Sequence, residues 1–593
     1  MNRTLLLAAS CVAAIGASSL AYADSDFAAV HGRADSFTPH VLSSEDVRLY
    51  RSIFENERSG NFKTARQEIA DLSDKSLMGY AEAEHFLSPR GKKTSVKILA
   101  EWLVKYDELP IAPKVRELAE QHNRHHKVAL AAIPEVRARG GWGYESSDNV
   151  PDAPLVSDAA RVAQSQIDAD VKIDQPAQAE AVLQNLVAAG GTPPSDVARL
   201  AHHVAASYLA EGMDSEASRV ATSVSSPDRD AEPLLDWDAG LAAYRLANFT
   251  DAASRFESLA QSGVASGWAR SAAAFWAARA YLQAGEPLHV VSLLNAAARE
   301  QPTFYGMLAE RLLGHENQTQ FSEPMLDSAS FDSMIQNSAT HRAVALWQVG
   351  ETDYVQPEML RAFANIPASQ ISAFAALAHR MDLPDLELRA SETQAAHGVL
   401  LSGLFPMPRY TPPGGYSVDP CLVLAFARTE SRFQARAVSK TGARGVMQIM
   451  PGTAHDEDTA ASRSQLNNPA YSLGLGQKYL QELLDQVNGN LFQLAAAYNA
   501  GPGSLTRWIG THPAIADDPL LFIESIPVPE TRKYIKRVMT FYWMYAQRAG
   551  QQSPSLQETA EGKWPIYHHQ AAQGSNPPTG IGNALISDAN TPH

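Results

Sequence analysis

Short helical patterns follow one another over more than half of this 593-residue chain, from about Glu45 to Arg389. Alanine is abundant in these patterns, and glycine and proline lie mostly at the joints between them, which favours helices over strands. Paired patterns recur: Ser195–Ala210 with Ser215–Val224, Asp236–Leu246 with Thr250–Gln261, and Ser271–Gln283 with Pro287–Arg299. Helix pairs with small residues at their contacts are typical of a solenoid. We therefore predict a mainly α protein whose N-terminal region is an α-superhelix without a regular repeat.

Changes in composition divide the chain into segments. A Pro/Gly-rich joint separates the helical array from a second, compact helical unit, and the chain ends in a stretch rich in Gln, Ser, Pro, Gly and Asn. Such a polar stretch is expected to be disordered or loosely attached, although Trp564–Tyr567 could dock onto the protein. The predicted segments are a signal peptide at 1–23, an irregular N-terminus at 24–44, the superhelix at 45–400, the linker at 401–415, the second unit at 416–550 and the tail at 551–593.

The N-terminus has the pattern of a secretory signal peptide. A charged start, Met1–Arg3, precedes an apolar run that ends before a small-x-small site, and we place the cleavage after Ala23. The run is too short and too interrupted for a membrane span, so we expect no stable membrane insertion. Lipidation of Cys11 is an alternative, but the apolar run continues past it. After cleavage only Cys421 remains, which excludes an intramolecular disulfide.

The overall charge excludes some classes of partner. The formal net charge is −16 and the sequence pI is about 5.6, which argues against nucleic acid as a partner. No cluster of His, Cys, Asp or Glu has a credible metal-ligand spacing. We therefore expect neither a metal nor another cofactor.

One glutamate of the second unit has the pattern of a general acid. Asp419 fits the N-cap and Pro420 the first position of a short helix predicted over 420–433. Val423, Phe426 and Glu430 then share one stripe of that helix. A carboxyl held against apolar side chains has a raised pKa and can donate a proton near neutral pH. The alternative is a buried structural glutamate paired with a cation.

Four motifs in the second unit carry a resemblance to a known family. They are Glu430–Phe433 continued by Ser439 and Gly442–Ala454, then Ala496–Gly503, Phe522–Pro527 and Glu530–Ile535. In this order they resemble the soluble lytic transglycosylases of bacterial periplasms, in which a goose-lysozyme-like catalytic domain is carried on an α-superhelical ring. The resemblance covers about 416–547 and extends more weakly into the helical array.

The resemblance implies a site built around one carboxyl. Glu430 would be the single catalytic acid/base, and the residues that bind or frame the saccharide would be Ser439, Gln448, Met450, Tyr498, Asn499, Glu524 and Tyr534. Ser439 would hydrogen-bond near an N-acetyl group, Gln448 and Met450 would line the groove, and Glu524 would lie across it. Tyr498 would contact the reacting sugar or hold Glu430, and Tyr534 would support it nearby.

Several of these residues have structural alternatives. Tyr498 lies at helical spacing from Leu491 and could be a core aromatic, Met450 could simply pack, and Ser439 could cap a turn. Glu524 could be a surface residue, because Pro527 and Pro529 predict a loop around it. The chain also departs from the family pattern: Gln434-Ala435 replaces a common Asn-Pro, and the segment 455–462 is unusually acidic.

By resemblance the chain would be an enzyme, a peptidoglycan lytic transglycosylase and thus a carbon-oxygen lyase. It would act in the periplasm on glycan strands, cleaving the β-1,4 bond from N-acetylmuramic acid to N-acetylglucosamine and leaving 1,6-anhydro ends. A hydrolytic muramidase is an alternative that needs a second carboxylate, for which Asp456, Glu457 and Asp458 are candidates. A non-catalytic helical scaffold that binds peptidoglycan is another. Protein partners are not predicted.

Overall fold

The structure is a computed structural model that describes residues 38–123, 128–134, 154–224, 231–300, 302–315, 319–511 and 517–568. Within these ranges the chain forms α-helices, short 3₁₀ helices and isolated β-bridges, and no β-strand. The predicted mainly α class is therefore confirmed. No helix in the described ranges is long and apolar enough to cross a membrane. The predicted signal peptide lies outside the described residues.

The helices of the array fall into three groups along the chain. The first group is α1 (Ser44–Ser59), α2 (Phe62–Asp71), α3 (Met78–Leu87), α4 (Val96–Tyr106) and α5 (Ala112–Asn123). The second is α6 (Asp158–Lys172), α7 (Pro176–Ala189), α8 (Pro194–Ala210), α9 (Asp214–Thr222), α10 (Leu234–Arg245), α11 (Phe249–Ala260), α12 (Gly267–Gln283), α13 (Val290–Ala298) and α14 (Phe304–Leu312). The third is α15 (Ser328–Met334), α16 (Ser338–Val349), α17 (Val355–Asn365), α18 (Ile371–Arg380) and α19 (Pro384–Ala395).

Local capping explains where many of these helices begin and end. The side chains of Ser157, Ser266 and Thr303 accept hydrogen bonds from first-turn backbone N–H groups of α6, α12 and α14. Gly350 ends α16 with a φ of 89°, a left-handed conformation that costs glycine little. The bounds predicted for the helix pairs of the second group agree with the observed bounds to within a few residues. Helix ends that are set by neighbouring residues can be predicted from the sequence.

The first and third groups of the array share one apolar core, although about 200 residues of the chain lie between Asn123 and Ser328. Polar contacts reinforce this junction. The buried Tyr80 hydroxyl donates to Glu358 at 2.8 Å, and Arg342 pairs with the same carboxylate at 2.6 Å. The backbone N–H of Val41 donates to the side chain of Gln348 at 2.8 Å. The beginning of the array is therefore packed against its end.

The C-terminal helices form a second unit. They are α20 (Pro420–Ser431), α21 (Pro451–Glu457), α22 (Pro469–Gln486), α23 (Leu491–Ala500), α24 (Pro502–Thr511), α25 (Pro519–Ser525), α26 (Pro529–Arg548) and α27 (Pro554–Ala560). Their core is continuous with the second group of the array. Phe304 of α14 stacks on Trp543 of α26 with ring centroids 5.3 Å apart, and the centroid of Phe492 lies 6.0 Å from that of Phe304. Aromatic packing thus joins the two units.

Helix α25 corrects the loop predicted around Glu524. Asp518 accepts hydrogen bonds from the N–H groups of Leu520 and Leu521, and Pro519 occupies the first turn. These are favourable helix-starting features. Pro527 lies after the end of the helix, so it does not interrupt it. The prediction gave too much weight to the prolines and too little to the capped apolar run before them.

The described part of the predicted tail, residues 551–568, is packed on the second unit, so there the alternative of docking through Trp564–Tyr567 replaces the expected disorder or loose attachment. After α27 the chain returns to the second unit, where the Tyr567 N–H donates to the Gly489 carbonyl at 2.7 Å. The Leu491 N–H donates to the Pro565 carbonyl at 2.9 Å, and the Trp564 ring lies 5.3 Å from that of Phe522. A few apolar side chains thus fix a segment whose overall composition is polar.

We expect Phe304→Ala to destabilise the protein by about 3–5 kcal/mol, because it removes a buried ring from the junction between the units. The matched control is Leu288→Ala, since Leu288 is 94% exposed and should tolerate truncation within about 0.5 kcal/mol. Urea unfolding monitored by circular dichroism measures both. Equal midpoints for the two variants would contradict the packing described for this junction.

Candidate active site

Helix α20 is fixed at its start by contacts from three parts of the chain. The Asp419 side chain accepts a hydrogen bond from the Cys421 N–H at 2.9 Å and so caps the helix. The Tyr542 hydroxyl donates to the same carboxylate at 3.0 Å, and the Asp419 N–H donates to the Tyr567 hydroxyl at 2.9 Å. The helix that carries Glu430 therefore begins at a position held by both α26 and the C-terminal segment.

The predicted apolar stripe of α20 is buried, with Val423, Phe426 and Ala427 fully inaccessible. The helix ends at Ser431, two residues earlier than predicted, because Arg432 and Phe433 both adopt left-handed backbone conformations with φ of 56° and 62°. Such conformations are costly for residues other than glycine and persist only where surrounding contacts hold them. Glu430 thus lies in the last turn, directly before a strained turn.

The carboxyl of Glu430 is partly exposed and has one hydrogen-bond partner among the described residues. The Tyr534 hydroxyl of α26 donates to its Oε1 at 2.5 Å. Burial raises the pKa of Glu430 from 4.5 to about 7; the Tyr534 hydrogen bond opposes this rise and the negative charge of Glu530 adds to it. A substantial fraction of Glu430 is therefore protonated at neutral pH.

The two arginines at this end of α20 bind elsewhere. The Arg428 guanidinium lies over the Phe541 ring at 3.7 Å from its centroid and over Phe405 at 4.5 Å. Arg432 forms an ion pair with Glu392 of α19. No cation of the described residues pairs with Glu430. Among these residues, the alternative of a structural glutamate held in an ion pair is therefore excluded. The acid is desolvated, as the helical pattern predicts.

Tyr498 and Asn499 lie on α23, next to the acid. The Tyr498 hydroxyl donates to the Met447 carbonyl at 2.8 Å, and its ring packs 4.8 Å from Phe426. Burial, and then the charge of Glu430, raises the pKa of Tyr498. Asn499 accepts a hydrogen bond from the Thr531 hydroxyl at 2.7 Å and so joins α23 to α26. Tyr498 is thus partly a core aromatic and also lies within electrostatic range of Glu430.

The loop between α20 and α21 carries three predicted binding residues. The Ser439 hydroxyl accepts a hydrogen bond from the Ala443 N–H at 3.0 Å, so in this structure it caps a turn. Gln448, with a φ of 48°, donates from Nε2 to the Gly445 carbonyl at 2.8 Å. Met450 is 42% exposed, which argues against simple packing. Gly445 is required here, because a Cβ would lie 2.0 Å from the Leu466 carbonyl oxygen.

Glu524 does not lie open across a groove from Glu430, which corrects the predicted position. It is 3% exposed and accepts hydrogen bonds from the Tyr305 hydroxyl at 2.6 Å and from Lys536 Nζ at 3.0 Å. Tyr305 belongs to α14 of the array. Glu524 borders a cavity of about 270 Å³ between the two units, whose lining also includes Trp237 and Trp268. No feature of the sequence links residues 305 and 524.

A carboxylate for which no role was predicted, although it begins one of the four motifs, acts electrostatically on the acid. Glu530 is exposed on the first turn of α26, and its charge contributes to the raised pKa of Glu430. Its position four residues before Tyr534, on the same helix face, could have identified it. Two of the three earlier candidates have partners elsewhere: Asp458 accepts from the Tyr471 hydroxyl at 2.7 Å, and Glu457 interacts with Glu482. The described residues contain no group able to hold a metal.

Comparison with known proteins identifies relatives of the C-terminal unit. The family model described as "Transglycosylase SLT domain" matches residues 413–520. The curated soluble lytic murein transglycosylase of Salmonella typhimurium is 28% identical over 296 residues, which cover 48% of this chain and 45% of that protein. The chain thus spans about half the length of the curated relatives that it matches. The predicted resemblance to soluble lytic transglycosylases is confirmed.

Two solved structures share the fold. The 70 kDa soluble lytic transglycosylase of Escherichia coli matches with a TM-score of 0.52 at 18% identity, covering 89% of this chain and 100% of that one. An inactive glutamate-to-glutamine mutant of the lytic transglycosylase Slt from Pseudomonas aeruginosa matches with a TM-score of 0.55 at 21% identity, covering 85% and 97%. These likenesses confirm the predicted fold, an α-superhelix followed by a lysozyme-like helical domain.

The raised pKa of Glu430 predicts a pH-dependent difference in stability between the protein and its Glu430→Gln variant. Below about pH 4.5 Glu430 is protonated whether the chain is folded or unfolded, and its full contribution is present. Between about pH 4.5 and 7 the unfolded chain ionises at Glu430 while burial keeps the folded protein protonated, so the folded protein progressively loses this contribution, and the loss is complete once the pH has risen past about 7. The change corresponds to roughly 3 kcal/mol.

Melting temperatures of both proteins between pH 4 and 8.5 measure this effect. The protein should lose stability relative to the glutamine variant as the pH rises, with the difference constant above about pH 8. Other titrating groups cancel in the comparison. A difference that does not change with pH would show that Glu430 has an ordinary pKa.

Proposed function

We propose that this chain is a periplasmic lytic transglycosylase. It cleaves the β-1,4 bond between N-acetylmuramic acid and N-acetylglucosamine in peptidoglycan strands and leaves 1,6-anhydro-N-acetylmuramic acid ends. The observation that carries the proposal is the desolvated carboxyl of Glu430, whose pKa of about 7 suits both proton donation and proton acceptance. The match to the transglycosylase domain model and the inactive glutamate-to-glutamine mutant of a protein with the same fold support it.

The chemistry needs one carboxyl that acts twice. Protonated Glu430 donates its proton to the glycosidic oxygen as the bond to C1 breaks. The neighbouring N-acetyl group of the substrate stabilises the cationic sugar as an oxazolinium-like intermediate. Glu430, now a carboxylate, accepts the proton of the sugar's own 6-hydroxyl, and that oxygen attacks C1. The acid returns to its starting state and no water is consumed.

The neighbouring side chains have roles that fit their positions. Tyr534 holds one oxygen of Glu430, which leaves the other free to face the substrate. Gln448 uses its Nε2 within the loop, so its side-chain oxygen is the group offered to a sugar hydroxyl. The exposed Met450 provides an apolar contact for a sugar face. For Ser439, Tyr498 and Asn499 we propose that they shape the groove through the loop and the helix that carry them.

Glu524 has a different proposed role from the one first predicted. Its carboxylate is already bound by Tyr305 and Lys536, so a direct contact with the glycan would have to break both hydrogen bonds. We propose that it holds the catalytic unit on the array. The proposed periplasmic location follows from the N-terminal signal pattern at 1–23. The proposed bounds are 45–400 for the array and 416–550 for the catalytic unit.

A hydrolytic muramidase is the second candidate, and the position of Glu530 is the observation that favours it. A carboxylate near the acid could activate a water molecule for attack on C1. Glu530 is exposed, however, and it acts on Glu430 through its charge, with no bridging hydrogen bond. We therefore assign Glu530 to the electrostatic environment of the acid.

Mass spectrometry of muropeptides released from purified sacculi separates these candidates. The protein should release products one water lighter than hydrolysed ends, and Glu430→Gln should release none while keeping its melting temperature at acidic pH. Glu530→Gln should retain anhydro products, with Glu561→Gln as a surface control. Products with reducing ends that disappear in Glu530→Gln would establish the muramidase. A lack of products from the unchanged protein would favour a scaffold that only binds peptidoglycan.

Tyr534→Phe is expected to lower activity roughly ten-fold, because the carboxyl of Glu430 loses the group that orients it. The hydrogen bond lowers the pKa of Glu430, so its removal should raise that pKa further. The general acid then stays protonated to higher pH, and the alkaline limb of the pH–rate profile moves upward. An unchanged limb would show that Tyr534 does not interact with Glu430 during the reaction.

A further inference from the structure

The cavity of about 270 Å³ between the array and the catalytic unit is separate from the proposed catalytic site. Glu430, Tyr498 and Tyr534 are not among the described residues that line it. Arg532 and Lys536 of α26 line the cavity, whereas Tyr534, two residues from each of them, binds Glu430. Side chains two residues apart on a helix point to different faces. The cavity and the acid therefore lie on different faces of α26.

Aromatic and apolar side chains of the array form one side of this cavity. Trp237 of α10 and Trp268 of α12 are both partly exposed there, and Trp237 is supported by Phe256, whose ring centroid lies 5.3 Å from its own. The buried apolar residues around them include Leu209, Leu241 and Leu259. Indole rings offer large flat contact faces. A mostly apolar cavity with a few polar groups is typical of a small-molecule site, and this volume suits a single ring better than a polymer.

The charged groups of the cavity are unevenly paired. Lys536 binds Glu524 at 3.0 Å, and Nδ1 of His202 lies 2.6 Å from the Asp238 carboxylate. Arg532 forms no ion pair with any described residue, and its one hydrogen bond runs from Nη1 to a backbone carbonyl at 2.6 Å. Desolvation lowers the pKa of Arg532, although the charges of Glu524 and Asp238 oppose this from a distance. A desolvated cation without a paired anion is costly, so an anionic ligand would stabilise the site.

Two polar groups of the array suit the hydroxyl groups of a ligand. Asp238 is 2% exposed, and since His202 contacts its Oδ2, its Oδ1 has no hydrogen-bond partner among the residues that the structure describes. The Ser266 oxygen accepts a hydrogen bond from the Ala269 N–H at 3.1 Å, which leaves its O–H able to donate. A ligand with a purely alkyl body would cover both groups without satisfying them, which is unfavourable. A body with hydroxyl groups and flat C–H faces fits better.

We propose that this cavity binds a small acidic sugar, with the ring against Trp237 and Trp268 and the carboxylate on Arg532. The sugar hydroxyls bind Asp238 and Ser266. N-Acetylmuramic acid has this chemistry, because it combines a pyranose ring, hydroxyl groups and a lactyl carboxylate. Its choice as the ligand rests on the proposed function, since peptidoglycan and its cleavage products carry that sugar. The cavity is thus a second saccharide site, which holds a short released fragment and takes no part in bond cleavage.

Isothermal titration calorimetry with two matched sugars tests this site, with every protein in the Glu430→Gln background to prevent turnover. N-Acetylmuramic acid should bind roughly ten-fold or more tightly than N-acetylglucosamine, which lacks the lactyl carboxylate. Arg532→Gln should abolish this preference, because it removes the cation. Trp268→Ala should weaken both sugars by similar factors, because it removes a ring contact and no charge. Arg48→Gln is the matched control: Arg48 is an exposed arginine of α1 that pairs with Glu45, and both affinities should stay unchanged.

Several outcomes would overturn the proposal. One is that neither sugar binds, and another is that the preference survives in Arg532→Gln. Binding that neither cavity variant weakens would lie in the catalytic groove instead. Octanoate binding more tightly than N-acetylmuramic acid would show a site for aliphatic carboxylates. If Arg532→Gln does not fold, the methyl ester of N-acetylmuramic acid replaces it, because the ester keeps the sugar and removes the charge. The ester should bind no better than N-acetylglucosamine, and equal binding of acid and ester contradicts the proposed contact with Arg532.

The cavity site and the proposed function can fail separately. If sacculi yield only reducing ends, the transglycosylase function fails, while calorimetry on the Glu430→Gln background still decides whether the cavity binds an acidic sugar. If calorimetry shows no cavity site, the anhydro products expected from the unchanged protein remain as evidence for the proposed function.

Discussion

Desolvation of one carboxyl, that of Glu430, is the constraint on which the site depends. A glutamate in water is ionised at neutral pH, and its removal from solvent beside apolar side chains is the largest cause of a pKa raised to about 7. The buried stripe of α20, the Tyr534 hydroxyl and the fixed Asp419 cap all maintain that position. The first and last of these belong to α20 itself and the hydroxyl comes from α26, so the environment of Glu430 depends on the packing of the two helices.

The array takes part in this assembly. Phe304 stacks on Trp543, Tyr305 binds Glu524, and Glu392 pairs with Arg432, so three kinds of interaction cross between the units. Two of them involve buried carboxylates, which are costly unless their partners are present. The arrangement favours one relative position of the units. It also places the charge that neutralises Arg432 in the array, outside the motifs that mark the catalytic unit.

Most of the local features were predictable from the sequence, whereas contacts between distant residues were not. Helix α20, its cap and the stripe that buries Glu430 follow from spacing and from Asp419-Pro420, so they could be predicted. Helix α25 was missed because Pro527 and Pro529 suggested a loop, although they lie beyond its end. The partners of Glu524 and Arg432 could not be found, because Tyr305 and Glu392 are distant in sequence and no local pattern connects them. In the C-terminal segment the composition suggested disorder, whereas the apolar run Trp564–Tyr567, named as an alternative because it could dock, does contact the second unit.

The central claim is that Glu430 alone transfers the proton and that no water enters the reaction. Digestion of sacculi in water enriched in oxygen-18 tests this most directly, with mass spectrometry of the released fragments. Proton transfer by Glu430 alone gives anhydro ends that contain no oxygen-18. Incorporation of one heavy oxygen at C1 of each new N-acetylmuramic acid end would show instead that water cleaved the bond.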